Sequence, residues 1–128
     1  MVLKGDLMNS KVLIVEDDIT MEPLWRYVIE TAHPGASVEW MTSGEAAARR
    51  MRAGDLDLVI SDIFLNGKLT GLDLWEISKV DRFILMSVLT PARLSRLALD
   101  LPRPLPSYLQ KPLDPNECIE TIRALLPA

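Results

Sequence analysis

Short apolar runs recur along the chain, separated by segments in which apolar residues return at helical spacing. The runs are Val12-Leu13-Ile14-Val15, Leu58-Val59-Ile60, Phe83-Ile84-Leu85-Met86 and Tyr108-Leu109, with a more mixed run over Ser37 to Met41. Strands alternating with helices point to an α/β domain with a parallel sheet and helices on both faces. Strands are expected over Lys11 to Val15, Ser37 to Met41, Leu56 to Ser61, Phe83 to Ser87 and Ser107 to Gln110. The third, apolar almost throughout, is expected in the middle of the sheet, covered on both sides.

The intervening segments carry helix signals. Met21, Trp25, Val28, Ile29 and Ala32 share one helical face up to a stop at His33-Pro34-Gly35. Thr42 and Glu45 have capping-box spacing ahead of an alanine-rich helix ending near Ala53-Gly54. Asn66-Gly67-Lys68-Leu69-Thr70-Gly71 reads as a loop, followed by a short helix through Leu72, Trp75 and Ile77 to about Lys79. Thr90-Pro91 reads as an N-cap followed by proline at the first helical position, with Leu94, Leu97, Ala98 and Leu101 on one face. A proline-rich loop runs from Leu101 to Pro106, and Asp114-Pro115 opens a last helix lined by Ile119, Ile122 and Leu126.

Four of the apolar runs end in residues that handle charge: Glu16-Asp17-Asp18, Asp62, Ser87 and Lys111. In an open parallel sheet the carboxyl ends of the strands lie along one edge, where such folds bind ligands. Crowded carboxylates repel, and a hard divalent cation held by oxygens relieves that repulsion. An aspartate there can attack an activated phosphorus and form an acyl phosphate, with an ammonium and a hydroxyl available to the phosphoryl oxygens.

Composition narrows the class. The 128 residues suffice for one domain with a real core, and 48% hydrophobic with 25% charged residues is ordinary for a globular protein. The net charge of -4, with basic residues scattered apart from Arg49, Arg50 and Arg52, argues against direct nucleic-acid binding. One cysteine, Cys118, excludes an internal disulfide and fits a cytoplasmic home. No run is long and apolar enough for a signal sequence or a bilayer span, so no membrane role is expected. Residues 1–10 are expected to be a loose leader and 11–128 the domain.

Five segments together resemble the receiver domain of two-component response regulators: Val15-Glu16-Asp17-Asp18, Ser61-Asp62-Ile63-Phe64-Leu65, Gly71-Leu72-Asp73-Leu74, Met86-Ser87 and Tyr108-Leu109-Gln110-Lys111-Pro112. The resemblance runs from Lys11 to Leu126. It implies a doubly wound, flavodoxin-like sheet of strand order 2-1-3-4-5 with five helices. It also implies that Asp62 is the phosphoacceptor and that Mg²⁺ or Mn²⁺ is held by Glu16, Asp17, Asp62 and the main-chain carbonyl of Phe64. Ser87 would be the switch hydroxyl, Lys111 the phosphate-pairing cation and Tyr108 a switch aromatic, with Lys111-Pro112 often cis in the family.

Several positions depart from the family pattern. The loop after Asp62 is longer than the commonest form and lacks its proline, Val88 replaces a small residue, Leu113 replaces an aromatic, and the third helix is short. Phe64 and Leu89, each two residues past a site residue, are apolar and are expected to hinder the hydrolytic water. Asp18 is expected to cap a turn, Trp25, Trp40 and Trp75 to pack in the core, and His33 to lie exposed at a helix end.

The expected function is a switch that accepts a phosphoryl group on Asp62 from a histidine kinase or phosphotransfer protein. It would catalyse only its own phosphorylation and dephosphorylation, and signal to a protein partner or to an output domain of a longer protein. A phosphorylation-independent scaffold is one alternative. A Mg²⁺-dependent phosphohydrolase is another, but it would usually want an acid where Phe64 stands. An FMN binder would need hydroxyls and amides where this chain has carboxylates.

Overall fold

A computed structural model describes residues 10–127. The expected leader therefore falls, apart from Ser10, outside the described residues. Five parallel strands, β1 (Lys11–Val15), β2 (Ser37–Met41), β3 (Leu58–Asp62), β4 (Phe83–Ser87) and β5 (Ser107–Gln110), form one sheet in the order β2-β1-β3-β4-β5. The helices are α1 (Glu22–Ala32), α2 (Gly44–Ala53), α3 (Gly71–Ile77), α4 (Pro91–Leu97) and α5 (Pro115–Leu125), with a 3₁₀ turn at Ile19–Met21 before α1.

Side chains alternate across a strand, and β1 divides accordingly between two cores. Val12 and Ile14 join Trp25, Val28, Ile60, Ile84 and Ile122 beneath α1 and α5. Leu13 and Val15 join Ala47, Val59, Leu74, Trp75 and Leu85 beneath α2, α3 and α4. β3 and β4 are buried along their whole length, whereas β2, at the sheet edge, is only half-buried. Truncating a fully buried side chain such as Leu13 or Ile60 would cost about 2–5 kcal/mol. Cys118 is a buried free thiol, and burial pushes it up to about 11.

Local chemistry sets most helix starts. Asp18 caps the 3₁₀ turn, accepting from Thr20 N at 3.0 Å, as expected. Thr90 caps α4 and Asp114 caps α5. Thr70 and Asp73 form a reciprocal capping box on α3. The box expected at Thr42 and Glu45 does not form. Ser43 is the extended N-cap residue, taking the Ala46 amide at 3.1 Å. Glu45 instead crosses to the loop before α3, accepting from the amides of Lys68 and Leu69 at 3.1 and 2.9 Å.

Three other expectations need revision. β3 begins at Leu58 and includes Asp62, so the carboxylate lies within the hydrogen-bonded strand. α4 ends at Leu97, which is half-exposed, so Leu101 lies beyond the helix in the loop that follows. That loop is fastened to α3: Trp75 Nε1 donates to Pro104 O at 3.0 Å, and the Arg103 guanidinium stacks 3.5 Å from the Trp75 ring centroid. His33 is buried rather than exposed, at the C-cap of α1, where its amide donates to Ile29 O at 2.8 Å.

Candidate functional site

The strand order sets β1, β3, β4 and β5 side by side, so their carboxyl ends carry Glu16, Asp62, Ser87 and Lys111 to one edge. Glu16 extends β1 by one more sheet-like hydrogen bond, its amide donating to Met41 O at 3.0 Å. Its side chain is fully buried. Glu16 Oε1 accepts from Lys111 Nζ at 2.8 Å, and the same ammonium donates to Asp62 Oδ2 at 2.8 Å. Glu16 Oε2 is buried with no partner among the described residues.

Asp17, half-buried, contributes the third carboxylate, and its Oδ2 accepts from Asn66 N at 3.3 Å. Glu16, Asp17 and Asp62 each present an oxygen within 4.8 Å of the others. Burial raises the pKa of Glu16 above its ordinary value, reinforced by the neighbouring Asp62 carboxylate and opposed by Lys111. Burial would lower Lys111, but its hydrogen bonds to Asp62 and Glu16 outweigh that and hold it above its ordinary value. Three acids against one ammonium leave surplus negative charge, and the unpaired Glu16 oxygen is a ligand atom in waiting. The donor set therefore fits a hard divalent cation such as Mg²⁺.

The predicted hydroxyl and aromatic form their own pair. Ser87 is buried, and its Oγ lies 2.6 Å from the Tyr108 hydroxyl. The Tyr108 hydroxyl also donates to Leu89 O at 2.6 Å, and Leu89 N donates back to Ser87 Oγ at 3.1 Å. Lys111 N donates to Ser87 O at 2.7 Å, which ties the ends of β4 and β5 together. The Lys111-Pro112 bond is cis. The Phe64 ring is half-exposed just beyond Asp62.

Two supporting residues were not foreseen. Trp40 Nε1 donates to Glu16 O at 3.0 Å and holds the acidic turn from β2. Nothing in the sequence singles that tryptophan out. Gly71 opens α3 against the end of β3, where an added Cβ would lie 2.1 Å from Asp62 O, and its amide donates to Ile63 O at 2.8 Å. Its place in the Gly71-Leu72-Asp73-Leu74 segment was the available signal.

Comparison with known proteins agrees with this architecture. A family model described as the response regulator receiver domain matches residues 12–123. The alkaline phosphatase synthesis transcriptional regulatory protein PhoP of Bacillus subtilis is 26% identical over 121 residues, which cover 93% of this chain and 49% of that protein. The DNA-binding response regulator MtrA of Mycobacterium tuberculosis is 28% identical over 127 residues, 94% of this chain and 52% of that protein. The chain thus spans about half the length of these curated relatives. Among solved structures, the chemotaxis response regulator CheY4 of Vibrio cholerae superposes with a TM-score of 0.74 at 20% identity, covering 91% of this chain and 98% of that one. The receiver domain of HemR from Leptospira biflexa does so with a TM-score of 0.74 at 22% identity, covering 94% and 96%. Both likenesses concern the fold. Among the described residues no helix is long and apolar enough to cross a membrane.

Proposed function

Because the chain belongs to the response regulator receiver family, we propose that it is a phosphorylation-dependent switch that takes a phosphoryl group onto Asp62 from a histidine kinase or phosphotransfer protein. The observation that carries this reading is the Lys111 ammonium, 2.8 Å from both Asp62 Oδ2 and Glu16 Oε1, beside a buried carboxylate oxygen with no partner among the described residues. Glu16, Asp17, Asp62 and the Phe64 carbonyl would hold Mg²⁺ or Mn²⁺. The bound cation supplies positive charge that screens the acids and the incoming phosphoryl oxygens.

An Asp62 carboxylate oxygen attacks phosphorus, the phosphorus–nitrogen bond of the phosphohistidine breaks, and its electron pair returns to the imidazole. The product is an acyl phosphate. Lys111 is already at hydrogen-bond distance from Asp62 and exchanges that carboxylate for a phosphoryl oxygen, offsetting the added charge. Resetting is hydrolysis: water attacks phosphorus, the acyl phosphate's P–O bond breaks, and inorganic phosphate leaves Asp62 as a carboxylate.

Signalling follows from Ser87. A phosphoryl oxygen on Asp62 competes with Tyr108 for the Ser87 hydroxyl, and release of the phenol loosens its grip on Leu89 at the start of the loop into α4. The equilibrium between two arrangements of α4, β5 and α5 then shifts, presenting that surface to a downstream protein or an attached output domain. The names of the curated relatives, which speak of transcriptional regulation and DNA binding, support an output of that kind in a longer protein.

Intact-mass spectrometry after incubation with acetyl phosphate and Mg²⁺ tests the proposal. Wild type should gain one phosphoryl group and Asp62→Ala none. A folded wild type that gains nothing overturns it.

A further inference from the structure

Glu45 stands in the first turn of α2, outside the set proposed to hold the cation, yet its carboxylate reaches the loop that carries part of that set. The loop, residues 63–70, joins β3 to α3. It contains Phe64, whose carbonyl is a proposed ligand, and Asn66, whose amide donates to Asp17 Oδ2 at 3.3 Å. That bond ties Asp17, one of the three carboxylates clustered within 4.8 Å, to the loop. It lies at the long end of the N–H···O range, so a shift of the loop away from Asp17 breaks it.

The loop's own residues do little to set its path. It has no proline to fix a backbone angle, and Gly67 sits at φ +97°, a conformation that glycine alone adopts freely. Glu45 supplies the template. Its Oε1 gathers two successive amides, those of Lys68 and Leu69, at 3.1 and 2.9 Å. Its Oε2 lies so near Gly67 that an added Cβ would meet it at 2.5 Å. Gly44 admits the same close approach from the α2 side, because a Cβ there would lie 2.7 Å from Leu69 O. The Leu69 amide, opposed by desolvation and helped by the Lys68 amide, holds the Glu45 carboxyl below its ordinary range. An ionised acceptor makes the stronger hydrogen bond.

We propose that Glu45 is a positioning residue for the cation site. By fixing the loop at Lys68 and Leu69 it keeps the Phe64 carbonyl and the Asn66–Asp17 bond in register with Glu16 and Asp62, and so sets the affinity for Mg²⁺. The inference rests on the reading of Glu16, Asp17, Asp62 and the Phe64 carbonyl as the cation's ligands. It adds to them a residue that touches neither the ion nor the phosphoryl group.

Two variants of the full chain separate positioning from charge. Glu45→Ala removes both the acceptor and the charge, whereas Glu45→Gln removes the charge and keeps a carbonyl oxygen for the two amides. Hydrogen exchange followed by ¹H–¹⁵N NMR in a chelator reads the loop with no metal present. The Asn66, Lys68 and Leu69 amides should exchange about tenfold faster in Glu45→Ala, with the sheet amides unchanged, and Glu45→Gln should restore most of the protection. Mg²⁺ titrated against tryptophan fluorescence should bind about tenfold more weakly to Glu45→Ala and within about threefold of wild type to Glu45→Gln. Equal losses of affinity in the two variants would assign the effect to charge and overturn the proposal. Wild-type affinity in Glu45→Ala, or a fall in affinity without faster loop exchange, overturns it while leaving the ligand set standing. A folded wild type that binds no Mg²⁺ overturns the ligand set and this proposal together.

Discussion

The hydroxyls of Ser87 and Tyr108 lie 2.6 Å apart, so the group proposed to sense a phosphoryl oxygen is already engaged by the ring proposed to respond. Tyr108 also donates to Leu89 O, making one phenol the clasp between β5 and the loop into α4. Tyr108→Phe keeps the ring and removes the clasp. Denaturant unfolding should show a loss of about 1 kcal/mol, and hydrogen exchange at the Leu89 amide should quicken. Unchanged exchange there would mean that the phenol does not restrain the loop.

Glu16 carries a pH signature. Its folded pKa is raised above the ordinary 4.5, chiefly by burial. Without a cation, its contribution favours the folded state most when it is protonated, below about pH 4.5. That contribution falls as pH rises toward the raised folded value and is flat above it. Glu16→Gln removes the dependence, so the variant should gain stability relative to wild type across that window when assayed in a chelator. Its Mg²⁺ affinity, read by tryptophan fluorescence, should fall about tenfold or more. A variant with wild-type affinity would remove Glu16 from the metal site.

Gly71 packs the start of α3 against the end of β3. A methyl group there would lie 2.1 Å from Asp62 O and 3.0 Å from Ile63 Cα, and backbone atoms cannot step aside as a flexible side chain can. Gly71→Ala should destabilise by about 1–3 kcal/mol and slow acetyl phosphate labelling at saturating Mg²⁺. Labelling at the wild-type rate would show that Asp62 tolerates the displacement.

Phe64 and Leu89 bear on the lifetime of the acyl phosphate. Phe64 is half-exposed beside Asp62, and Leu89 is held in place at both its amide and its carbonyl. Two apolar side chains there give an attacking water no hydrogen-bond partner, so decay should be slow. Phe64→Asn and Leu89→Glu should each accelerate loss of the phosphoryl group, followed by time-resolved intact mass. If neither does, these residues do not set the lifetime.

What could be read from the chain divides along physical lines. β1, β2, β4 and β5 have the expected bounds; β1 and β4 were legible because a buried strand needs an apolar run, whereas β2 and β5, less buried, were marked by the turn and loop residues around them. The apolar runs bring the acidic cluster, Asp62, Ser87 and Lys111 to one edge, and the family resemblance singled out Glu16, Asp17, Asp62 and Lys111 among them, whose side-chain oxygens and ammonium the structure places together. Caps and helix ends were less legible, since several residues compete for one amide: Ser43 outcompetes Thr42, and Glu45 finds better donors in Lys68 and Leu69. His33, read as exposed from its Pro-Gly neighbours, is buried, and local sequence does not encode that. The same holds for Trp40 reaching Glu16, and for Arg103 lying on Trp75.

The central claim is that Asp62 receives the phosphoryl group. Borohydride cleaves an acyl phosphate reductively and leaves the modified aspartate as homoserine, which tandem mass spectrometry can locate. After treatment with acetyl phosphate and Mg²⁺, the account predicts homoserine at position 62, and none when Mg²⁺ is replaced by a chelator. Homoserine at Asp17 or Asp18 instead, or unmodified Asp62 in a folded, Mg²⁺-saturated protein, would contradict it.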